Sequence, residues 1–409
     1  MNIVLRLAWR NLWRYPRRTW LTTGAMIFSN VLLVFMISIQ IGTYGLMIDN
    51  TLEALTGHLQ IQAPGYKDDL KMRQVVPDAI SLAASVREGL NLQTVSARGA
   101  AFALASSEDR SYGIQVLGVE PMFEPGVSSL PGLTKEGRYL DDANAAEIVI
   151  GSVLARNLRV SIGGELTLLG SGRDGSIAAG IVTVVGVFHG GNKELDRGIA
   201  EVPIGYFEDT FDMQGAAHQI VINAGDYSKT EQLVQQANAL LPADSKLVVH
   251  DWNALQPGLR QAIQADMGSA IFMYAVLVVL VAFSVLNTQL MSVLERTREF
   301  GIVMALGLTP GRLGRLVMLE TALMGLVGLV MGSVLGGIVT SLFTVKGIYV
   351  PGMEEMAGQF NLPSRMYPQV SALTLIAGPG IVFLFTLLAA IYPAMRLHWL
   401  QPVAAMRAA

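Results

Sequence analysis

Residues 267–294 read MGSAIFMYAVLVVLVAFSVLNTQLMSVL, a run without one charge that Asp266 closes on one side and Glu295 on the other. A helix needs ~20 apolar residues to cross the hydrocarbon of a bilayer, and buried helices of water-soluble proteins rarely stay uncharged for so long. Three further stretches share the property: Trp20 to Ile48, closed by Asp49; Thr321 to Val345, between Glu320 and Lys346; and Met366 to Met395, between Arg365 and Arg396. The expected fold class is therefore a membrane protein with four transmembrane α-helices. The first run exceeds the ~7–15 apolar residues of a signal-peptide core and is read as an uncleaved anchor.

Composition agrees. Of 409 residues, 52% are hydrophobic and only 15% charged, with a mean hydropathy of +0.45. A water-facing surface of that size would carry more charge. There is no cysteine, which excludes thiolate metal sites and disulfides. His58, His189, His218, His250 and His398 are scattered, with no two at helical ligand spacing, so no metal site is expected. The P-loop pattern, the G-x-S-x-G elbow and the H-E-x-x-H pair are all missing. No catalytic residue, no bound cofactor and no nucleic-acid partner is expected, and Gly170 to Gly175 reads as a hairpin loop.

Charge asymmetry gives the orientation. Arg6, Arg10, Arg14, Arg17 and Arg18 precede the first span without an acidic neighbour. Arg296, Arg298, Arg312 and Arg315 fall between spans two and three, and Arg396 and Arg407 follow the fourth. Residues 49–266 hold 16 Lys and Arg against 27 Asp and Glu. The positive-inside rule then puts both termini and the 295–320 loop in the cytoplasm, and it applies to short loops rather than long domains. The organisation expected is an amphipathic cytoplasmic helix over 1–19, spans at 20–48, 267–294, 321–345 and 366–395, and an extracytoplasmic α/β domain at 49–266. A cytoplasmic loop at 295–320, a short outer loop at 346–365 and a cytoplasmic tail at 396–409 complete it.

In the amino-terminal segment Arg6, Arg10 and Arg14 share one helical face, and Leu5, Trp9, Leu12 and Trp13 line another. Such a helix lies on membrane lipid, and Pro16 ends it. In the third span Gly328, Gly332 and Gly336 repeat every four residues, a face on which helix backbones can approach closely. Pro379, between Gly378 and Gly380, is expected to kink the fourth span. Within 49–266, strands are expected at 146–151, 181–187, 60–62, 114–119 and 219–222, and helices at 79–89 and 229–241. Gly163-Gly164 is read as a turn between extended segments at 158–162 and 165–169.

Residues 287–307, NTQLMSVLERTREFGIVMALG, with the glutamate at position 320, resemble the FtsX-like permease signature of the MacB/LolCDE superfamily of type VII ABC transporters. Leu7-Ala-Trp-Arg-Asn-Leu12 resembles the amino-terminal helix of that family. Tyr392-Pro-Ala-Met-Arg396 with Gln401-Pro-Val-Ala-Ala-Met-Arg407 resembles its ending. Phe300, Met304 and Gln401 depart from the commoner isoleucine, arginine and acidic residue. The resemblance covers the whole chain, and its shape is closest to lipoprotein-releasing permeases.

The resemblance implies a MacB-like periplasmic core in the extracytoplasmic domain. It also implies a separate LolD/MacB-like ATPase that holds the ATP and Mg, and a second permease subunit, identical or related. A lipoprotein or other periplasmic partner would meet the outer domain. The coupling residues it points to are Glu295, Arg296, Arg298, Glu299, Gly301, Gly307, Thr309, Arg312 and Arg315. The second span is read as running on as a helix past Glu295, with Arg298 pairing Glu295. Thr309 is read as capping a short basic helix through Arg315 that docks on the ATPase. Two readings of function stay open: a permease that relays ATP-driven motion to its outer domain for lipoprotein release or amphiphile export, and a regulatory module that controls a periplasmic partner without moving a substrate.

Overall fold

Helices Pro16–Thr51, Pro257–Glu295, Pro310–Lys346 and Ala372–Arg396 dominate the computed structural model, which describes residues 3–242, 244–349, 351 and 365–399. Among the described residues, these are the helices long and apolar enough to cross a membrane. Gln401 and Arg407 lie outside the described residues, as does most of the 346–365 loop.

The chain separates into two compact units, one holding the four spans and the other built on Gly45–Ala262. In the first unit, the glycine face of the third span meets the first span. A Cβ on Gly328, Gly332 or Gly336 would lie 2.8, 2.4 or 3.0 Å from the Cβ of Met26, Asn30 or Val34 respectively. These three partners are also four residues apart, so two matching helix faces are in backbone-close contact. Asn30 Nδ2 donates to the Gly328 carbonyl at 3.0 Å, an approach that a side chain at the glycines would block. The fourth span packs on the third, with Phe383 over Gly325, and Ser333 Oγ donating to the Leu375 carbonyl at 2.8 Å. Ser371 and Thr374 form a capping box at its start, and the helix continues through Pro379 and Pro393.

The helix Ile3–Arg14 precedes the first span, with Tyr15 as the joint. Trp9, Trp13 and Trp20 stack edge to face, with ring centroids 5.9 and 6.3 Å apart, and all are exposed. Aromatic rings of this kind favour the level of lipid headgroups.

Among the described residues, the second unit contains ten strands: β1 Leu59–Gln62, β2 Val95–Ser106, β3 Ser111–Val119, β4 Thr134–Gly137 and β5 Glu147–Gly151. The others are β6 Glu165–Ser171, β7 Ile177–Phe188, β8 Ile199–Pro203, β9 Gln219–Ile222 and β10 Val248–Asp251. Pairing runs β2-β3-β8-β5-β7-β6 and returns to β2, so six strands close a barrel. The first third of β2, Val95–Arg98, instead pairs β9, and β1 and β10 follow to make an open sheet. One strand therefore belongs to both sheets. Ala101, Ala103 and Ala105 of β2 fill the barrel with Ile148, Ile150, Leu166, Leu168 and Phe211. The open sheet buries Ile61, Ile220 and Ile222 beneath helices Ala79–Leu90 and Thr230–Leu240.

One local expectation fails here. Residues 158–162 are not extended: Ser152–Leu158 is a helix that ends on Arg159 with φ +55°. The turn at Gly163 therefore follows a helix rather than a strand. Strand β2 is not among the strands expected from the sequence: its alanines favour helix, and the narrow barrel interior makes a strand of them.

The first span ends in a π-helical turn, Leu52–Thr56. Four of its carbonyls find donors. Leu52 O accepts from Gly57 N, Glu53 O from Ser129 N at 2.7 Å, Leu55 O from Arg98 Nη1 and Thr56 O from Gln60 Nε2. Asp49 holds the backbone N–H of Tyr227 at 3.0 Å and the His58 ring at 3.1 Å.

Candidate functional site: the loop between the second and third spans

The second span does not run on as one helix. It stops at Glu295, Arg296 takes φ −98° and ψ 10°, and a separate helix covers Thr297–Ala305. The cause is the partner of Arg296. Its guanidinium Nη1 donates to both carboxylate oxygens of Glu320, at 3.3 and 3.2 Å, at the root of the third span. Glu320 also accepts from Asn11 Nδ2 at 2.6 Å. Arg296 and Glu320 are both buried, and the guanidinium sits 4.8 Å over the Phe300 ring. Three elements, the amino-terminal helix, the break and the third span, thus meet on one carboxylate.

Around this core lies a looser rim. Arg18 faces Glu295 at 3.6 Å, Arg14 faces Glu299 at 3.7 Å, and Arg296 Nε approaches Glu299 at 3.5 Å. The expected Arg298–Glu295 pair does not form. Once the helix breaks between them, the i,i+3 geometry is lost, and Arg298 stays exposed.

The helix Thr297–Ala305 buries Phe300, Gly301 and Met304 against Val293, Leu313, Val317 and Leu397. Met304, where the signature commonly has arginine, therefore points inward. The turn that follows passes through Gly307 at φ +98°, a conformation that favours glycine. Thr309 is extended and makes no side-chain cap, and Pro310 begins a helix that continues without a break into the third span. The short basic helix expected from Thr309 to Arg315 is thus the first turns of the span itself. The separate short helix is the preceding one.

The tip of the loop is open. Leu306 is 81% exposed, Ile302 and Leu308 are exposed beside it, and Arg312 and Arg315 stand exposed on the helix that follows. The result is an apolar tip on a base fixed by buried contacts, with Arg298, Arg312 and Arg315 exposed on the helices to either side. Sequence reasoning selected the arginines but missed Asn11, Arg14, Arg18, Leu306 and Leu308 as members. Their signal was present only in part: Asn11 lies in the amino-terminal motif and Leu306 in the 287–307 stretch.

A family model described as FtsX-like permease C-terminal matches residues 271–402, and one described as MacB-like periplasmic core domain matches residues 19–240. The chain is 25% identical over 316 residues to the lipoprotein-releasing system transmembrane protein LolC of Xylella fastidiosa, covering 73% of this chain and 74% of that one. It is 25% identical over 314 residues to the lipoprotein-releasing system transmembrane protein LolE of Haemophilus influenzae, with 73% and 74% covered. Among solved structures, the periplasmic region of MacB from Actinobacillus actinomycetemcomitans is similar at a TM-score of 0.37 and 14% identity, over 53% of this chain and 97% of that one.

Proposed function

Because the chain belongs to the family of FtsX-like ABC-transporter permeases that carry a MacB-like periplasmic core domain, we propose that its 295–320 loop receives the motion of a separate ATPase and that the spans relay it to that domain. One observation carries this reading: an exposed apolar tip, Leu306-Gly307-Leu308, stands on a base held by the buried Arg296–Glu320 pair. A loose tip would absorb a push, whereas a braced one passes it to the third span and the amino-terminal helix. Interfaces between proteins centre on such apolar anchors, with arginine enriched around them.

The arginine asymmetry supports a cytoplasmic loop and cytoplasmic termini in a bacterial inner membrane, with the core domain outside. ATP and Mg belong to the ATPase, and a second permease subunit, identical or related, completes the membrane part. The relatives named as lipoprotein-releasing favour a lipoprotein, or another amphiphile, as the substrate.

The absence of cysteine permits a direct test. Leu306→Cys carrying a photocrosslinker in cells should capture an ABC ATPase, identified by mass spectrometry. Capture of lipid alone, or of a protein from outside the membrane, would overturn the reading.

A further inference from the structure

The first span leaves the membrane unit through the π-helical turn Leu52–Thr56, and the carbonyl of Leu55 in that turn is held by a guanidinium from the barrel. Arg98 on β2 is 1% exposed; its Nη1 donates to Leu55 O and its Nη2 to Glu124, a carboxylate with no exposed surface. A second fully buried carboxyl, Glu201 on β8, lies beside them and accepts a hydrogen bond from the Tyr139 hydroxyl at 2.8 Å. The site therefore holds two carboxyls and one guanidinium out of water. Among the described residues, Glu201 Oε1, Glu124 Oε2 and Arg98 Nε have no hydrogen-bond partner. One cation balances one carboxylate, and a second ionised carboxylate there would be uncompensated.

We propose that Arg98, Glu124 and Glu201 form a proton-dependent rivet on the exit turn of the first span. With Glu201 neutral, the guanidinium serves Glu124 and the Leu55 carbonyl. When Glu201 ionises, it competes for the same cation. A full negative charge out of water attracts the guanidinium more strongly than the dipole of a neutral carbonyl does, so the guanidinium is drawn off Leu55 and the turn is freed. The charged and titratable groups that face Glu201 are Glu124, Arg98 and Tyr139. Burial, then the charge of Glu124, pushes the Glu201 carboxyl up to about 8, against the opposing pull of Arg98 and the Tyr139 hydroxyl. The rivet then holds at neutral pH and opens under mildly alkaline conditions. It belongs to the core domain alone and stands whether or not an ATPase drives the chain.

A nitroxide on Ala54→Cys, in the full-length chain in lipid nanodiscs, reports the mobility of the turn. Between about pH 6 and about pH 10, the immobilised spectral component should be lost with a midpoint near pH 8. In Glu201→Gln, which keeps the shape of the side chain, it should persist at every pH. In Glu124→Gln the midpoint should move to lower pH, because the neighbouring negative charge is gone. A wild-type spectrum that does not change, or the same transition in Glu201→Gln, would overturn the proposal. If Glu124→Gln does not fold, the comparison of wild type with Glu201→Gln decides by itself.

Discussion

Arg296 and Glu320 are 3.2 Å apart, both nearly out of water, where the second span ends and the third begins. Because the guanidinium turns toward Glu320, the backbone at Arg296 leaves helical geometry, and the following helix is set off as a separate arm. The ion pair thus determines where the arm starts, and the hydrophobic knot around Phe300 and Leu313 determines where it lies.

Breaking that pair should cost far more than breaking the rim. Arg296→Ala leaves Glu320 buried without its cation, a loss of about 3–5 kcal/mol. Glu299→Ala and Glu295→Ala remove exposed contacts worth about 0–1 kcal/mol. Thermal denaturation of the purified chain in nanodiscs should separate them, and equal melting points would show that Arg296 is not a brace.

Arg298→Ala should leave that melting point unchanged, since its side chain is exposed. In the reconstituted complex, however, permease-stimulated ATP hydrolysis should fall several-fold, because the arginine would act only through a partner. Wild-type stimulation in both Arg298→Ala and Glu299→Ala would remove the loop from the coupling path.

Gly332→Leu should separate the first and third spans. Its new Cβ would stand 2.4 Å from the Cβ of Asn30, a distance that no rotamer of leucine relieves. Leu329→Ala, on the same helix, should matter much less. Crosslinking between cysteines at Phe35 and Phe343, whose rings meet at 5.7 Å on the same two helices, would report the loss of contact, and equal crosslinking in both variants would contradict it.

Cysteines placed singly at Ser171 and Thr309, both exposed, should label from opposite sides of the membrane with an impermeant thiol reagent. Thr309→Cys labelled from outside intact cells would invert the topology.

The core domain should also have a stability optimum in pH. Glu201 is held above its unfolded value, so its contribution is full below about pH 4.5 and lost as pH rises towards about 8. His218 is opposite: its contribution is full above about pH 6.5 and lost as pH falls through the folded value, which burial lowers to about 4. Glu201→Gln should therefore raise the melting midpoint at pH 8 and change it little at pH 5. A gain of about 1 kcal/mol corresponds to roughly 2–4 °C in a domain of this size. No difference between the two pH values would show that Glu201 does not hold its proton.

The sequence by itself determined the four spans, the domain inserted after the first, and the family. A charge-free run is a property of consecutive residues, and hydrocarbon penalises each charge wherever the rest of the chain lies. The glycine face was legible for the same reason, since its period belongs to one helix. What Gly332 faces was not, because Asn30 is 302 positions away and only packing brings it there. The expected Arg298–Glu295 pair followed from spacing along an unbroken helix, and it failed because a buried carboxylate at Glu320 offered Arg296 a stronger partner. Strand β2 is rich in alanine, which by itself favours helix, and the barrel makes a strand of it. The tertiary structure alone decided the Arg296 break, the closed barrel and the Arg98–Glu124–Glu201 cluster. Each depends on which distant groups exclude water together, and burial is what gives a charge its choice of partner.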